Sequence, residues 1–162
     1  MKALVAFGSK RGGTAGLASM IGDELEAAGF DATVLAARQV KKIDEFDVVI
    51  LAGALYANRW HRDARRFARK FASSLREKQV WLVSSGPLDD SASTKVIPPV
   101  KQVADAMAST GARGHVTFGG RLEPNAKGFP ASAMAKRLAG DWRDRDQVHD
   151  WVASVVASQQ ST

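Results

Sequence analysis

Apolar runs of strand length alternate with segments of helical period along the chain. The strand-like runs occupy residues 2–7, 32–35, 47–52, 80–84 and 116–118. The segments between and after them repeat apolar residues every three or four positions, at residues 14–28, 63–75, 98–110 and 144–157. This alternation predicts an α/β fold in which a parallel sheet is covered by helices on both faces.

The order of these elements predicts a doubly wound sheet of five parallel strands in the order 2-1-3-4-5. In that order the winding reverses between the first and third strands, and a ligand binds beyond their carboxyl ends. Gly29 and Gly111 are expected to end two of the helices. A single domain is predicted over residues 1–157, with a polar tail at 158–162. A long connection at 119–141 is expected to carry a short helix around Met134 and Leu138.

The composition of the chain excludes several kinds of chemistry. The chain has 162 residues and no cysteine, which excludes disulfides, thiolate nucleophiles, iron–sulfur clusters and cysteine-ligated zinc. The three histidines have no metal-ligand spacing, so no metal site is predicted. No apolar run is long enough to span a membrane, and the first run is too short for a signal peptide. We therefore expect a cytoplasmic protein in which any redox chemistry depends on a bound cofactor.

Positive charge is concentrated at the predicted helix that follows the third strand. The chain has a formal net charge of +6, and Arg62, Arg65, Arg66 and Arg69 recur at helical spacing. Such a face attracts an acidic protein or an anionic membrane, which would place the protein at the inner face of the cell membrane. A solvated helix surface is the alternative. No recognition motif accompanies the charge, so specific nucleic-acid binding is not expected.

The turn between the first strand and the first helix has the pattern of an anion cradle. It consists of Ser9, Lys10, Arg11, Gly12, Gly13 and Thr14. Unpaired N–H groups at a helix start attract a phosphate. The two glycines let the main chain curl around the anion, and the two hydroxyl groups add donors. A glycine-rich turn without a ligand is the alternative.

Competing phosphate motifs fit this turn poorly. The spacing of its glycines does not match a dinucleotide fingerprint, and no acidic residue follows the second strand. Thr14 stands where a Walker A loop needs its lysine. The pattern that remains suits a terminal monophosphate, such as that of flavin mononucleotide (FMN).

The loop after the third strand brings aromatic residues to the same edge of the sheet. It consists of Gly53, Ala54, Leu55, Tyr56, Ala57, Asn58, Arg59, Trp60 and His61. A flat isoalloxazine ring would stack on Tyr56 or Trp60, and such stacking contributes about 0.5–1.5 kcal/mol beyond area burial. Packing of Trp60 against the following helix is the alternative. His61 is the one candidate proton donor, and no other catalytic residue is assigned.

The loop after the fourth strand offers backbone groups to the polar edge of a ring. It contains Ser84, Ser85, Gly86, Pro87 and Leu88, followed by Asp89 and Asp90. The Gly-Pro pair makes a tight turn with exposed amides and carbonyls. The two aspartates have no third ligand close in sequence, which favours a turn or helix-capping role over a metal site.

Together these loops resemble those of the flavodoxin superfamily over nearly the whole chain. The likeness is greatest to the branch of the flavodoxin-type, menaquinone-dependent protoporphyrinogen oxidase and related flavodoxin-domain proteins of high-GC bacteria. The Ser-x-x-Gly-x-Thr turn at residues 9–14 is similar to the family's FMN phosphate loop, and residues 53–61 and 84–88 are similar to its ring loops. Residues 118–122 and 140–144 resemble C-terminal signatures of the branch.

The resemblance implies a flavodoxin-like fold with FMN held non-covalently. Its phosphate would lie on residues 9–14 and its ring between residues 54–60 and 85–88. Two features depart from the pattern: Arg11 is cationic where electron carriers have a neutral hydroxyl residue, and the connection at 119–141 is shorter and less apolar than in the porphyrinogen oxidase.

Three functions remain open at this point. The resemblance favours an FMN-dependent oxidoreductase of protoporphyrinogen-oxidase type, with its substrate docked under residues 119–141. The alternatives are a flavodoxin-type electron carrier between protein partners and a flavin-free binding or scaffold domain. The redox donor and acceptor are not identified by the sequence.

Overall fold

The computed structural model describes residues 1–9, 13–86, 98–119, 121–122, 140–141 and 144–160. Within these residues the strands are β1 (Lys2–Gly8), β2 (Asp31–Ala36), β3 (Val48–Tyr56), β4 (Arg59–Trp60), β5 (Gln79–Ser85), β6 (Gly114–Phe118), β7 (Arg121–Leu122) and β8 (Gly140–Asp141). The helices are α1 (Gly13–Ala27), α2 (Arg62–Lys70), α3 (Ala72–Leu75), α4 (Lys101–Thr110) and α5 (Arg145–Gln160), with a short 3₁₀ turn at Ala37–Gln39.

The five long strands form one parallel sheet in the order β2-β1-β3-β5-β6. Without the two-residue strand β4, this is the order 2-1-3-4-5, so the predicted fold is confirmed. β4 pairs antiparallel with the end of β3, and β7 pairs with β8 in a separate two-stranded sheet. The winding reverses between β1 and β3, which places the ligand crevice of this fold beyond their carboxyl ends.

Helices cover both faces of the sheet, which explains why β1, β3 and β5 are nearly continuous apolar runs. On one face, Phe67 of α2 and Val103 of α4 pack with alternate strand residues such as Leu51. On the other face, Ile21 of α1 and Val152 of α5 pack with the residues in between. Burial of these two layers is the main stabilising term of such a fold.

The structure can be compared with the predicted helix ends at Gly29 and Gly111 and with the predicted helix at residues 63–75. Gly29 and Gly111 have φ of 97° and 69°, the left-handed conformation expected where a helix ends. The predicted helix at residues 63–75 is interrupted at Phe71, whose φ is −107°. The interruption leaves Leu75 buried in the core at the end of α3. The short helix predicted in the connection at 119–141 lies outside the described residues.

Two further boundaries were predicted wrongly. β3 continues to Tyr56, four residues beyond the predicted strand, so the first half of the predicted loop is part of the sheet. Its residues Gly53 and Ala54 pair with Ser84 and Ser85, which supplies the hydrogen bonds that a loop would lack. α5 continues to Gln160, and most of the predicted tail at 158–162 is therefore helical.

Candidate functional site

The carboxyl ends of four strands meet at one edge of the sheet. Gly8 at the end of β1 lies opposite Gly53 in β3, and Ser85 at the end of β5 lies between Ala54 and Phe118. The backbone N–H of Gly86 donates to the carbonyl oxygen of Phe118 at 2.9 Å, which carries the contact past the last paired residues. The predicted loops therefore start from neighbouring strand ends.

The described part of the phosphate loop lies where a helix begins. Ser9 follows β1 and is half-buried, while Gly13 and Thr14 form the first turn of the 15-residue helix α1. Thr14 is a polar residue with only 1% of its surface exposed. N–H groups in such a first turn have no partner within the helix and favour an anion. Lys10, Arg11 and Gly12, the middle of the predicted cradle, lie outside the described residues.

The second loop is a tight β-hairpin rather than an open loop. Tyr56 in β3 pairs with Arg59 in β4, and only Ala57 and Asn58 connect them. Both have positive φ, 48° and 61°, as a two-residue type I′ turn requires. Asn tolerates this conformation, whereas Ala at positive φ costs about 1–2 kcal/mol. The hairpin therefore holds Tyr56 at the rim of the sheet with a strained turn beside it.

Trp60 is buried in the core, and the prediction that it stacks on a flavin ring is wrong for this arrangement. Only 1% of its surface is exposed, so neither ring face is open to a ligand. The indole N–H lies 3.1 Å from the carbonyl oxygen of Gly53 and 3.3 Å from that of Val83. A Cβ on Gly53 would overlap the indole nitrogen. The alternative, packing beneath the following helix, is what the structure has.

The third loop starts in contact with this hairpin. Leu55 is half-buried, and a Cβ on Gly86 would lie 3.2 Å from its Cβ and Cδ1 atoms. Ser85 and Ala54 are buried under this contact, whereas Tyr56 is half-buried. The end of β5 and the hairpin of β3 and β4 are therefore packed against each other. Pro87 and Leu88 lie outside the described residues, as do Asp89 and Asp90.

His61 caps a helix. Its Nδ1 accepts a hydrogen bond from the backbone N–H of Asp63 at 3.1 Å, in the first turn of α2. A Cβ on Gly8 would approach the same nitrogen to 2.9 Å, so α2 begins directly against the end of β1. The role of His61 in this structure is to start α2, and its role as a proton donor stays a prediction.

Comparisons with known proteins assign this arrangement to a family. The model of the flavodoxin domain family matches residues 4–144. The chain belongs to the flavodoxin domain family. FMN is accordingly its cofactor, and electron transfer through that flavin is the function of such a domain. The match is to the flavodoxin domain as a whole and does not distinguish the protoporphyrinogen-oxidase branch. A comparison with curated proteins gives no match.

Solved structures agree with the flavodoxin fold at low sequence identity. Oxidised flavodoxin 1 from Bacillus cereus is 15% identical, with a TM-score of 0.64, 97% of this chain covered and 98% of that chain. The flavodoxin of Streptococcus pneumoniae TIGR4 is 20% identical, with a TM-score of 0.61 and coverage of 98% and 99%. Rubredoxin oxygen:oxidoreductase from Desulfovibrio gigas is 11% identical, with a TM-score of 0.62; the likeness covers 99% of this chain and 37% of that one.

The described residues fit FMN at both of its ends. Gly13 and Thr14 begin α1, where backbone N–H groups favour a phosphate, and both residues are buried in this structure. The rim supplies one aromatic side chain, Tyr56, and the residues before it, Ala54 and Leu55, lie beside Ser85 and Gly86. A helix start, an aromatic side chain and the ends of two paired strands therefore lie at one edge, a combination that suits a phosphorylated planar ring.

A polar pair that the sequence analysis missed lies within this flavodoxin domain. Ser84 Oγ and His115 Nε2 are 2.9 Å apart across the pairing of β5 and β6. Burial lowers the pKa of His115 from 6.5 to about 4, so its ring is neutral at pH 7. Ser84 itself is almost completely buried. The two residues are 31 positions apart, and only the strand register brings them together.

The described residues offer neither a metal-binding cluster nor a membrane-spanning helix. No cluster of three His, Asp or Glu side chains that could hold a metal ion occurs in the described parts of the chain. None of the described helices is long and apolar enough to cross a membrane.

Proposed function

We propose that this chain is a flavodoxin-type electron carrier that passes electrons between protein partners through FMN bound at the carboxyl edge of its sheet. The observation that carries the proposal is the family match together with the helix start at Gly13 and Thr14 beside the strand ends. The likeness to the flavodoxin of Bacillus cereus extends over almost all of both chains, so it includes every strand of the sheet.

The residues divide into two groups by the part of FMN that they would hold. Ser9, Gly13 and Thr14, with the predicted cradle residues Lys10, Arg11 and Gly12, would bind the phosphate. Tyr56 would stack on the ring, and Leu55, Ser85 and Gly86 would border it, together with the predicted Pro87 and Leu88. When bound, FMN supplies reversible acceptance of electrons, and the chain supplies binding, orientation and tuning.

Titration of the apoprotein with FMN and with riboflavin tests this proposal. Riboflavin lacks the phosphate, so the loss of several charge-assisted hydrogen bonds should weaken its binding by at least about 3 kcal/mol relative to FMN. Gly12→Asp should abolish FMN binding, because it adds bulk and like charge at the cradle. Ser19→Asp is the control, because it puts the same charge on an exposed residue further along α1.

Equal affinity for the two flavins would contradict the phosphate cradle. Binding of neither flavin would remove the carrier function and favour the flavin-free scaffold. Circular dichroism of both aspartate variants should match that of the parent chain, because the sequence predicts a loop outside the core at Gly12 and because Ser19 is exposed.

A second candidate function is an FMN-dependent oxidoreductase of protoporphyrinogen-oxidase type. The observation that favours it is the pairing of β7 with β8, which forms a second small sheet at the two ends of the connection between β6 and α5. A substrate panel under turnover distinguishes the candidates. An oxidase should oxidise a porphyrinogen with a quinone as the electron acceptor. A carrier should reduce protein acceptors, and it should oxidise the porphyrinogen no faster than free FMN does.

A further inference from the structure

Helix α2 presents four arginines on a single face. Arg62, Arg65, Arg66 and Arg69 follow the spacing i, i+3, i+4 and i+7, which places side chains on one side of a helix. Three of the four are exposed and Arg65 is half-buried. The opposite side of α2 is buried in the core through Ala64, Phe67 and Ala68. We call the four arginines the α2 basic face.

The charge of this face is not neutralised by the part of the chain that the structure describes. No described carboxylate lies within ion-pair distance of the four guanidinium groups. The one acidic residue of α2, Asp63, lies instead beside the His61 ring, with its Oδ2 4.0 Å from Nδ1. Asp105 on the neighbouring helix α4 is paired with Lys101 at 2.9 Å. Among the described residues, the arginines therefore have no carboxylate partner that would compete with an external anion.

The basic face begins at the candidate flavin site. α2 starts against Gly8, the last residue of β1, and the hairpin that holds Tyr56 leads directly into it through Arg59 and His61. At about 1.5 Å per residue, the face extends only about 10 Å from Arg62 to Arg69. A protein docked on it would therefore cover the edge at which FMN binds.

The composition of the face favours a protein over a lipid surface. All four cations are arginines, whose planar guanidinium groups form paired hydrogen bonds with carboxylates. A helix that lies on a membrane inserts an apolar side, but the apolar side of α2 is used by the core. The exposed large apolar residues in the described parts of the chain are Met1 and Leu35, and neither is on α2.

We propose that the α2 basic face docks an acidic redox protein and holds it against the FMN edge. This inference rests on the proposed carrier function and names the kind of partner that the carrier serves. Opposite charge would steer the partner to the edge and raise the association rate, and salt would suppress that effect.

Electron transfer to two haem proteins of opposite charge tests this inference. The FMN-loaded chain is reduced with dithionite, and excess reductant is removed. Each electron that leaves the reduced flavin converts one ferric haem to ferrous haem, which haem absorbance counts. The probes are acidic cytochrome b5 and basic cytochrome c. We expect cytochrome b5 to react faster at low salt and to lose at least about tenfold in rate at high salt, where charges are screened within about 3 Å.

Two double variants localise the effect. Arg66→Glu with Arg69→Glu should slow transfer to cytochrome b5 at least about tenfold at low salt, because it reverses two charges of the face. Lys41→Glu with Lys42→Glu changes the net charge equally at two exposed residues outside α2, and it should slow transfer less than about threefold. The milder Arg66→Gln with Arg69→Gln should show a smaller loss in the same direction, even where the glutamates weaken the last turn of α2.

Three outcomes would overturn the inference. The first is equal slowing of electron transfer by the two glutamate pairs, and the second is a faster reaction with cytochrome c than with cytochrome b5. The third is binding to phosphatidylglycerol vesicles that the arginine variant loses, in the absence of any salt-dependent reaction with cytochrome b5. A chain that retains no FMN contradicts the proposed carrier function instead. Docking is then tested by titrating the same variants with cytochrome b5, where unchanged affinity in the arginine variant overturns it.

Discussion

Tyr56 and Trp60 belong to the same hairpin and have opposite environments. Trp60 lies under the sheet edge, almost completely buried, with its indole N–H directed at two carbonyl oxygens. Tyr56 lies at the rim, half-buried, next to a turn with two positive φ values. In an antiparallel pair, the two residues that face each other across the strands lie on the same side of the sheet, and successive pairs alternate sides. Leu55 and Trp60 therefore lie on one side, and Tyr56 and Arg59 lie on the other. Register alone gives one aromatic ring to the core and the other to the rim.

The largest difference between the two aromatic residues should appear in stability. Trp60→Ala removes a buried ring and leaves a cavity, so we expect the free energy of unfolding to fall by about 3–5 kcal/mol. Tyr56→Ala should cost about 1 kcal/mol or less, because its side chain is only partly buried. Urea denaturation of the apoproteins, followed by circular dichroism, measures both. Similar losses in the two variants would mean that Trp60 is not the core residue described here.

The sequence predicts the fold better than it predicts the two ring loops. The alternation of apolar runs with helical segments predicts the strand order, because buried parallel strands are apolar throughout. Gly29 and Gly111 predict two helix ends, because positive φ favours glycine. The hairpin leaves no such trace. Its turn is Ala-Asn rather than the usual Asn-Gly, and nothing before it indicates that β3 continues to Tyr56. Because β3 is longer than predicted, Trp60 pairs with it in the core and does not lie in an open loop.

The pairing of Ser84 with His115 shows a second limit. Each residue alone is a polar position near the end of a strand, and their contact depends on the register between β5 and β6. Register is set by packing across the whole sheet and not by either local segment. The candidate loops could therefore be located from the sequence, whereas the contacts within them could not.

The position of Tyr56 at the rim should affect the affinity for FMN. If Tyr56 stacks on the ring, Tyr56→Ala should weaken FMN binding by about 1–3 kcal/mol and reduce the quenching of flavin fluorescence. Tyr56→Phe keeps the ring and should bind FMN within about 1 kcal/mol of the parent chain. Fluorescence titration of both variants measures the effect. Native affinity and quenching in Tyr56→Ala would leave the rim without a stacking residue.

The buried side also contains a titratable group whose effect on stability depends on pH. The pKa of His115 is about 4 in the folded chain and about 6.5 when unfolded, because burial disfavours the charged ring. Between these values the unfolded chain binds a proton that the folded chain does not. Stability should therefore fall as the pH decreases from about 6.5 to 4, by about 1–2 kcal/mol after allowance for partial exposure of the ring.

His115→Gln tests this dependence against the parent chain. The variant should lose the decrease in that pH window, whereas Ser84→Ala should retain it, because burial rather than the hydrogen bond lowers the pKa. The difference between variant and parent removes the contribution of His149, whose pKa is raised by Glu24 and whose stabilisation is lost as the pH rises. Parallel curves of unfolding free energy against pH for His115→Gln and the parent chain would exclude a neutral buried His115.

The smallest effect concerns the turn that separates the two aromatic residues. Ala57 has φ of 48°, a conformation that an L-residue with a Cβ adopts at a cost and that glycine adopts freely. Ala57→Gly removes this strain but gives the unfolded chain more freedom, so we expect a net gain of about 0.5–1 kcal/mol in unfolding free energy. Ala153→Gly is the matched control at an exposed position within α5, where the same change should cost about 1 kcal/mol. Urea denaturation of the two variants gives opposite signs if Ala57 has this conformation. A loss at both positions would mean that residue 57 has negative φ, and the hairpin would then no longer hold Tyr56 at the rim as described.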